Sequence, residues 1–175
     1  MALGLLLMRT NEAKSPAQFQ RITLATLRDI WRISANAGVR SARSEADRAG
    51  IRITDTRAAP PPTSNVLSRA EGVARKAAEA FRIARKKDSG IPILRTKIET
   101  IAATESAGAY NNGRKQAAIN LVRQWDATLD RRTCPICERA HGTLSDRNGE
   151  FSYGEPGSVH PLCRCTFHLV GPGEL

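Results

Sequence analysis

A chain of 175 residues that is 41% hydrophobic but only 5% aromatic fits one domain, or a small domain with an extended helical arm. Its helices must pack thinly on alanine rather than around a thick aromatic core. No stretch approaches the length of a transmembrane helix, so no membrane partner is expected. The formal charge of +10 is unevenly placed: residues 1–98 carry 19 Lys and Arg against 8 Asp and Glu, and residues 99–175 carry 8 against 9. A basic first half suits a polyanion such as double-stranded DNA, because neutralised phosphates release counterions; it equally suits an acidic protein or a solvated helix face.

In chain order, Ala2 to Met8 is apolar but has no basic residues before it and no small-residue cleavage site after it. It therefore makes a poor signal peptide and is expected to pack on a partner or on the chain's own helices. Without an export signal, reduced thiols and bound metal are favoured over disulfides. Ser15-Pro16-Ala17-Gln18 then supplies a cap, a proline at the first helical position and a capping-box partner. Phe19, Ile22, Leu27, Ile30 and Trp31 recur at helical spacing, which predicts a helix over 16–49 with a bend near Gly38.

Three consecutive prolines, Pro60-Pro61-Pro62, mark a semi-rigid spacer. A second helix is predicted from Val66 to Lys87, stopped by Ser89-Gly90. Its small apolar face is Val73, Ala77, Ala80, Phe81 and Ala84, and Arg69, Arg75, Lys76, Arg82, Arg85, Lys86 and Lys87 are its candidate contacts to nucleic acid or a partner. A third helix spans Ile93 to Leu121, with an interruption expected at Asn111-Asn112-Gly113. Beyond it, Val122 to Thr128 reads as a strand, Gly142 to Tyr153 as a hairpin turning at Arg147-Asn148-Gly149, and Cys165 to Val170 as a closing strand. The fold class is α+β, with long N-terminal α-helices followed by a small zinc-stapled β module. Its segments are a helical arm (1–58), a proline-rich linker (59–65), a basic helical region (66–121) and a zinc-binding β module (122–175).

All four cysteines fall within 32 residues, together with His160, as Cys134-Pro135-Ile136-Cys137 and His160-Pro161-Leu162-Cys163-Arg164-Cys165. Two residues between cysteines let both thiolates face one tetrahedral ion, and the second group adds an imidazole and two further thiolates. A structural Zn2+ therefore takes four of Cys134, Cys137, His160, Cys163 and Cys165. The turn spacing of His160 and Cys163 leans the choice toward Cys163, but Cys165 stays open. Bound zinc is worth about 10–16 kcal/mol in zinc-finger peptides, enough to fold a module with few large apolar residues. Disulfide pairing and a Cys-x-x-Cys redox pair are alternatives; the second is weakened because no strand–turn–helix context is expected around Cys134. A zinc-containing nuclease of the His-Asn-His type is a further alternative, although His160 is followed by proline and cysteine and no helix follows it. His141 and His168 read as surface or strand residues. Trp125, Asp130, Thr133 and Arg164 read as support for the module: Trp125 packs over it, Asp130 and Thr133 brace the turn that presents Cys134, and Arg164 points outward or pairs with Asp130 or Asp126.

Ile101-Ala102-Ala103-Thr104-Glu105-Ser106, Ala109-Tyr110-Asn111-Asn112-Gly113-Arg114, Trp125-Asp126-Ala127-Thr128-Leu129-Asp130, Arg132-Thr133-Cys134-Pro135-Ile136-Cys137, Ala140-His141-Gly142 and the His160–Cys165 stretch occur here in that order. Over about residues 98–170 the chain resembles the minor head protein, or Mu F-like head morphogenesis, family of tailed bacteriophages. The resemblance implies a non-enzymatic structural protein made in the host cytoplasm and placed in the virion head interior. Its implied partners are the portal protein, the major capsid protein and packaged DNA, and its role is head assembly or genome delivery. A DNA-binding regulator of phage origin is the alternative alongside the nuclease. Thr104 and Glu105, on a helix beside Arg114 and Lys115, are expected to form surface pairs or a partner contact.

Overall fold

The computed structural model describes residues 13–53, 64–86 and 90–171. These form α1 (Pro16–Arg48), α2 (Ser64–Lys86), α3 (Gly90–Ala117), β1 (Arg123–Asp126), α4 (Pro135–Ala140) and β2 (Thr166–Leu169). The fold is α+β, mostly helical with one two-stranded antiparallel sheet that sets Trp125 opposite Phe167. The apolar run Ala2–Met8, the three prolines, Lys87 and Ser89 lie outside the described residues, as does the side chain of Arg69. Ser64 and Asn65, expected to end the linker, instead open α2.

Two compact units interleave along the sequence: residues 1–33 with 61–106, and residues 34–60 with 107–175. They do not coincide with four consecutive segments, because α1 and α3 each contribute residues to both.

In the first unit, α1 starts where its sequence says it should. Ser15 Oγ accepts the Gln18 N–H (3.2 Å), and Gln18 Oε1 accepts the Lys14 N–H (2.9 Å), which satisfies two amides that would otherwise lack partners. Phe19, Leu27 and Ile30 of α1 pack with Ala70, Ala77, Ala78 and Phe81 of α2 and Ile98 and Ala102 of α3. Phe19 and Phe81 stack at 4.5 Å between ring centroids, an aromatic pair in a core of aliphatic side chains and alanine.

In the second unit the residues expected to weaken the helices are the ones that join them. α3 runs unbroken through Asn111-Asn112-Gly113. A Cβ on Gly113 would lie 1.9 Å from the Ala35 carbonyl oxygen, and one on Gly38 would lie 2.0 Å from the Tyr110 carbonyl oxygen. The interruption expected at Gly113 is therefore corrected: both glycines are sites where two helix backbones meet, and any side chain would hold them apart. Around this crossing, Tyr110 Oη donates to Ser41 Oγ (2.7 Å) and the buried Arg114 guanidinium donates to the same hydroxyl (2.8 Å).

α3 also fixes the sheet. Along one edge of β2, Asn111 Nδ2 donates to the Cys165 carbonyl (2.9 Å), Arg114 Nη2 donates to the Phe167 carbonyl (2.7 Å), and Glu45 Oε1 accepts the Leu169 N–H (2.7 Å). Three helix side chains thus each serve one backbone group on three successive same-edge residues, as a third strand would. Arg114 also forms an ion pair with Glu45. Glu105, expected in a surface pair or partner contact, is instead buried. Lys115 reaches Glu150 and Glu155, each at 2.7 Å.

The hairpin expected over 142–153 is also corrected. Leu144 makes an isolated bridge to Gln124. The chain then turns at Arg147-Asn148-Gly149, where Asp146 Oδ1 accepts the amides of Asn148 (2.9 Å) and Glu150 (2.8 Å). That side chain takes hydrogen bonds a ladder would need, so no strand forms on either side. Past the turn, Phe151 meets Trp125 edge-on at 5.3 Å, and the buried Arg123 guanidinium lies over the rings of Phe151 (5.0 Å) and Phe167 (4.7 Å).

Candidate metal centre

The donor cluster is assembled from two short turns of the second unit. The first begins in the loop after β1. Thr133 Oγ1 donates to the Thr128 carbonyl (2.5 Å) and accepts the Asp130 N–H (2.8 Å), while Asp130 Oδ1 accepts the Arg132 N–H (2.8 Å). These bonds close the loop and deliver Cys134 to the start of α4, a helix the sequence reading lacked. Cys134 has extended backbone angles and is the helix cap, with proline at the next position, and its Sγ accepts the Cys137 N–H at 3.4 Å. A thiolate thereby replaces the usual serine or aspartate cap, and the spacing of cap to third helical residue places both sulfurs on one side. With β1 before the motif and α4 after it, the expectation that Cys-Pro-Ile-Cys lacks a strand–turn–helix setting is corrected.

The second turn carries His160 and Cys163, whose N–H donates to the His160 carbonyl (3.2 Å). Leu162 within it has φ of +59°. His160 Nδ1 lies 2.8 Å from the Pro161 carbonyl oxygen. A carbonyl only accepts, so Nδ1 carries a proton and Nε2 is the ring atom turned toward the sulfurs. Nε2 sits 3.3 Å from Cys134 Sγ and 3.2 Å from Cys137 Sγ, and Cys137 Sγ is 3.8 Å from Cys163 Sγ.

Two candidate metal-binding groups result, Cys134–Cys137–His160 and Cys137–Cys163–Cys165, which share Cys137. The edges of a zinc tetrahedron, from bonds of about 2.3 Å to sulfur and 2.0–2.1 Å to nitrogen, are about 3.8 Å for S···S and 3.6 Å for S···N. The Cys137–Cys163 separation matches that scale and the two S···N separations are somewhat shorter; the donors gather as two triads joined at Cys137, and sulfur with imidazole nitrogen is the donor set that zinc takes. All four cysteines are free thiols.

Electrostatics divides the sulfurs. The Cys137 N–H holds the Cys134 thiol down at about 7, whereas burial pushes the thiols of Cys137 and Cys165 up. Buried thiols that resist ionisation alone gain most from a cation among them. Across the site, Arg164 donates to both Asp130 oxygens (2.6 and 2.7 Å), and this pair holds the Asp130 carboxyl well below the usual carboxylate range. The pair ties the loop before Cys134 to the segment bearing Cys163 and Cys165. Trp125 is fully buried and shares the core with Cys137, Cys163 and Cys165. His141 accepts the Ala127 N–H through Nδ1 (3.1 Å), and His168 contacts Gln124 (2.6 Å); neither is grouped with the metal donors.

The basic face belongs to the other unit. Arg75, Lys76, Arg82, Arg85 and Lys86 of α2 are all exposed. Arg75, Arg82 and Lys86 share one stripe at spacing i, i+7, i+11, within which Glu79 takes Arg82 in a two-pronged pair (2.5 and 2.8 Å). Arg85 donates to the Lys14 carbonyl (2.5 Å). Glu45 and Arg123 escaped notice in the sequence. Glu45 lacks any local pattern because its partner is Leu169, and Arg123 sits in a strand where a charge normally points to solvent.

A family model described as phage Mu protein F like protein matches residues 77–168, just over half of the chain. No curated protein and no solved structure matches it.

Proposed function

The chain belongs to the phage Mu protein F like family, a family of phage head proteins, and we propose that it is a non-enzymatic structural protein of the head interior. In this reading it contacts the portal or the major capsid protein and the packaged double-stranded DNA, and it aids head assembly or genome delivery. A Zn2+ ion held by Cys134, Cys137, His160 and Cys163 staples its C-terminal module, with Cys165 as the spare donor. The single observation that carries a structural over a catalytic reading is His160. Its Nε2, the atom a nuclease would need as general base, faces two sulfurs at 3.2 and 3.3 Å, and its Nδ1 proton is committed to the Pro161 carbonyl.

When bound, zinc supplies cross-linking of two turns that have little apolar burial of their own. The Arg164–Asp130 pair and the Asn111 bond to Cys165 hold those turns in place. The exposed stripe of Arg75, Arg82 and Lys86 supports contact with phosphates, each neutralised phosphate adding to salt dependence. No helix among the described residues is long and apolar enough to cross a membrane.

The test is purification of heads from a phage encoding the protein, with its position read from an asymmetric reconstruction. Density near the portal on the inside of the shell supports the assignment. Absence from heads, or plasmid nicking that His160→Ala abolishes, overturns it.

A further inference from the structure

Three large apolar residues stand exposed on the segments that carry the metal donors. Leu129 is 58% exposed, Leu162 52% and Ile136 41%. Leu129 lies in the loop before Cys134, Ile136 between Cys134 and Cys137, and Leu162 between His160 and Cys163, so each ligand-bearing turn presents one. Leu162, Arg132 and Arg164 border the shallow depression that opens over Cys134, Cys137 and His160.

Leu162 is the most telling of the three. Its φ of +59° makes it the non-glycine residue with positive φ among those described. A branched side chain disfavours that conformation, which glycine or asparagine adopts readily. Leucine here strains the backbone and gains little from burial within the chain. Positive charge exceeds negative on these turns: Arg131, Arg132 and Arg139 are exposed against an exposed Glu138, while Asp130 is paired by Arg164 and Arg132.

We propose that this patch docks an acidic, apolar segment of another head protein, with Leu129, Ile136 and Leu162 buried and the arginines facing carboxylates. The inference rests on the head assignment above and names the chemistry of the partner. A second copy of this chain is a poor occupant, because the chain carries a net charge of +10 and its Glu45, Glu150 and Glu155 are tied up in internal ion pairs. Duplex DNA is disfavoured because Leu129, Ile136 and Leu162 offer phosphates no hydrogen-bond donor.

The experiment supplies the full-length protein in trans to a phage lacking its gene and counts copies per purified head. Leu129→Ser combined with Leu162→Asn should keep its zinc and be at least as heat-stable as wild type, since asparagine tolerates the left-handed position. Its copies per head should nevertheless fall by roughly tenfold or more. Arg131→Glu with Arg139→Glu, both exposed, should fall likewise. A photo-crosslinking amino acid at position 162 should label a segment of another head protein rich in Asp or Glu and aliphatic residues. Unchanged incorporation of both variants, or adducts on DNA or on a second copy, overturns the inference while leaving the head assignment standing. Absence of the wild-type protein from heads overturns the head assignment itself, and this inference with it.

Discussion

Replacing Gly113 by alanine separates local propensity from tertiary contact, because the two predict opposite signs. Within a helix, glycine to alanine stabilises by about 1 kcal/mol. At position 113, however, the new methyl would sit 1.9 Å from the Ala35 carbonyl oxygen and 2.7 Å from its carbon. Ordinary contact begins near 3.4 Å, and the atoms in the way are backbone, which no rotamer change can move. α1 and α3 must therefore part by more than an ångström, loosening the Tyr110 and Arg114 bonds to Ser41. Overpacking of this kind costs about 1–3 kcal/mol even where side chains can yield, so the net effect should be a loss of at least 1 kcal/mol. For a chain of this length that lowers Tm by about 2–4 °C per kcal/mol. Gly72 is the internal control: it too lies inside a helix, but a Cβ there meets only the Arg75 guanidinium at 4.0 Å. Thermal unfolding of zinc-loaded protein, followed by circular dichroism, should show Gly72→Ala equal to or above wild type and Gly113→Ala below it. A Gly113→Ala protein as stable as Gly72→Ala would refute the backbone contact.

Two further outcomes follow from charges fixed in the second unit. Arg114→Met leaves Glu45 without its buried partner and the Phe167 carbonyl without its donor, so urea unfolding should show a loss of about 3 kcal/mol; Arg114→Lys, which lacks the planar fork, should recover less than half of it. Asp130→Asn removes the clamp between the two ligand-bearing turns and should weaken zinc retention by roughly tenfold in chelator competition. The folded-state value of Asp130 is depressed below its unfolded value of about 3.9, so the carboxylate's contribution is complete above that value and is lost only as pH falls through the folded one. The difference between wild type and Asp130→Asn should therefore stay constant from pH 8 to pH 5. A difference that shrinks across that range would show the carboxyl titrating there and contradict the Arg164 pair.

What the sequence discloses is what local chemistry decides. Ser15, Pro16 and Gln18 mark the start of α1 because capping involves neighbours only, and the cysteine and histidine spacings mark the donor cluster because ligands on a shared turn must be close in sequence. The strands around Trp125 and Phe167 follow from short apolar alternation. Gly38 and Gly113 mislead for the same reason: read locally, a glycine weakens a helix, and only the crossing partner shows that it permits one. α4 stays hidden because a six-residue helix carries too little periodicity and its cap is a cysteine, which the donor motif claims first. The false hairpin arises at Asp146, whose side chain competes for the amides of a ladder. Glu45 and Leu169 stand 124 residues apart, so no window of sequence contains both.

The most direct test is metal content together with thiol state in protein purified under reducing conditions without added metal. About one zinc per chain is expected, with X-ray absorption reporting three sulfurs and one nitrogen. Removal of the ion should abolish the near-ultraviolet signal of Trp125, which packs with three of the four cysteines. Protein that is folded with no bound metal, or whose cysteines are paired as disulfides, would contradict the zinc-stapled module.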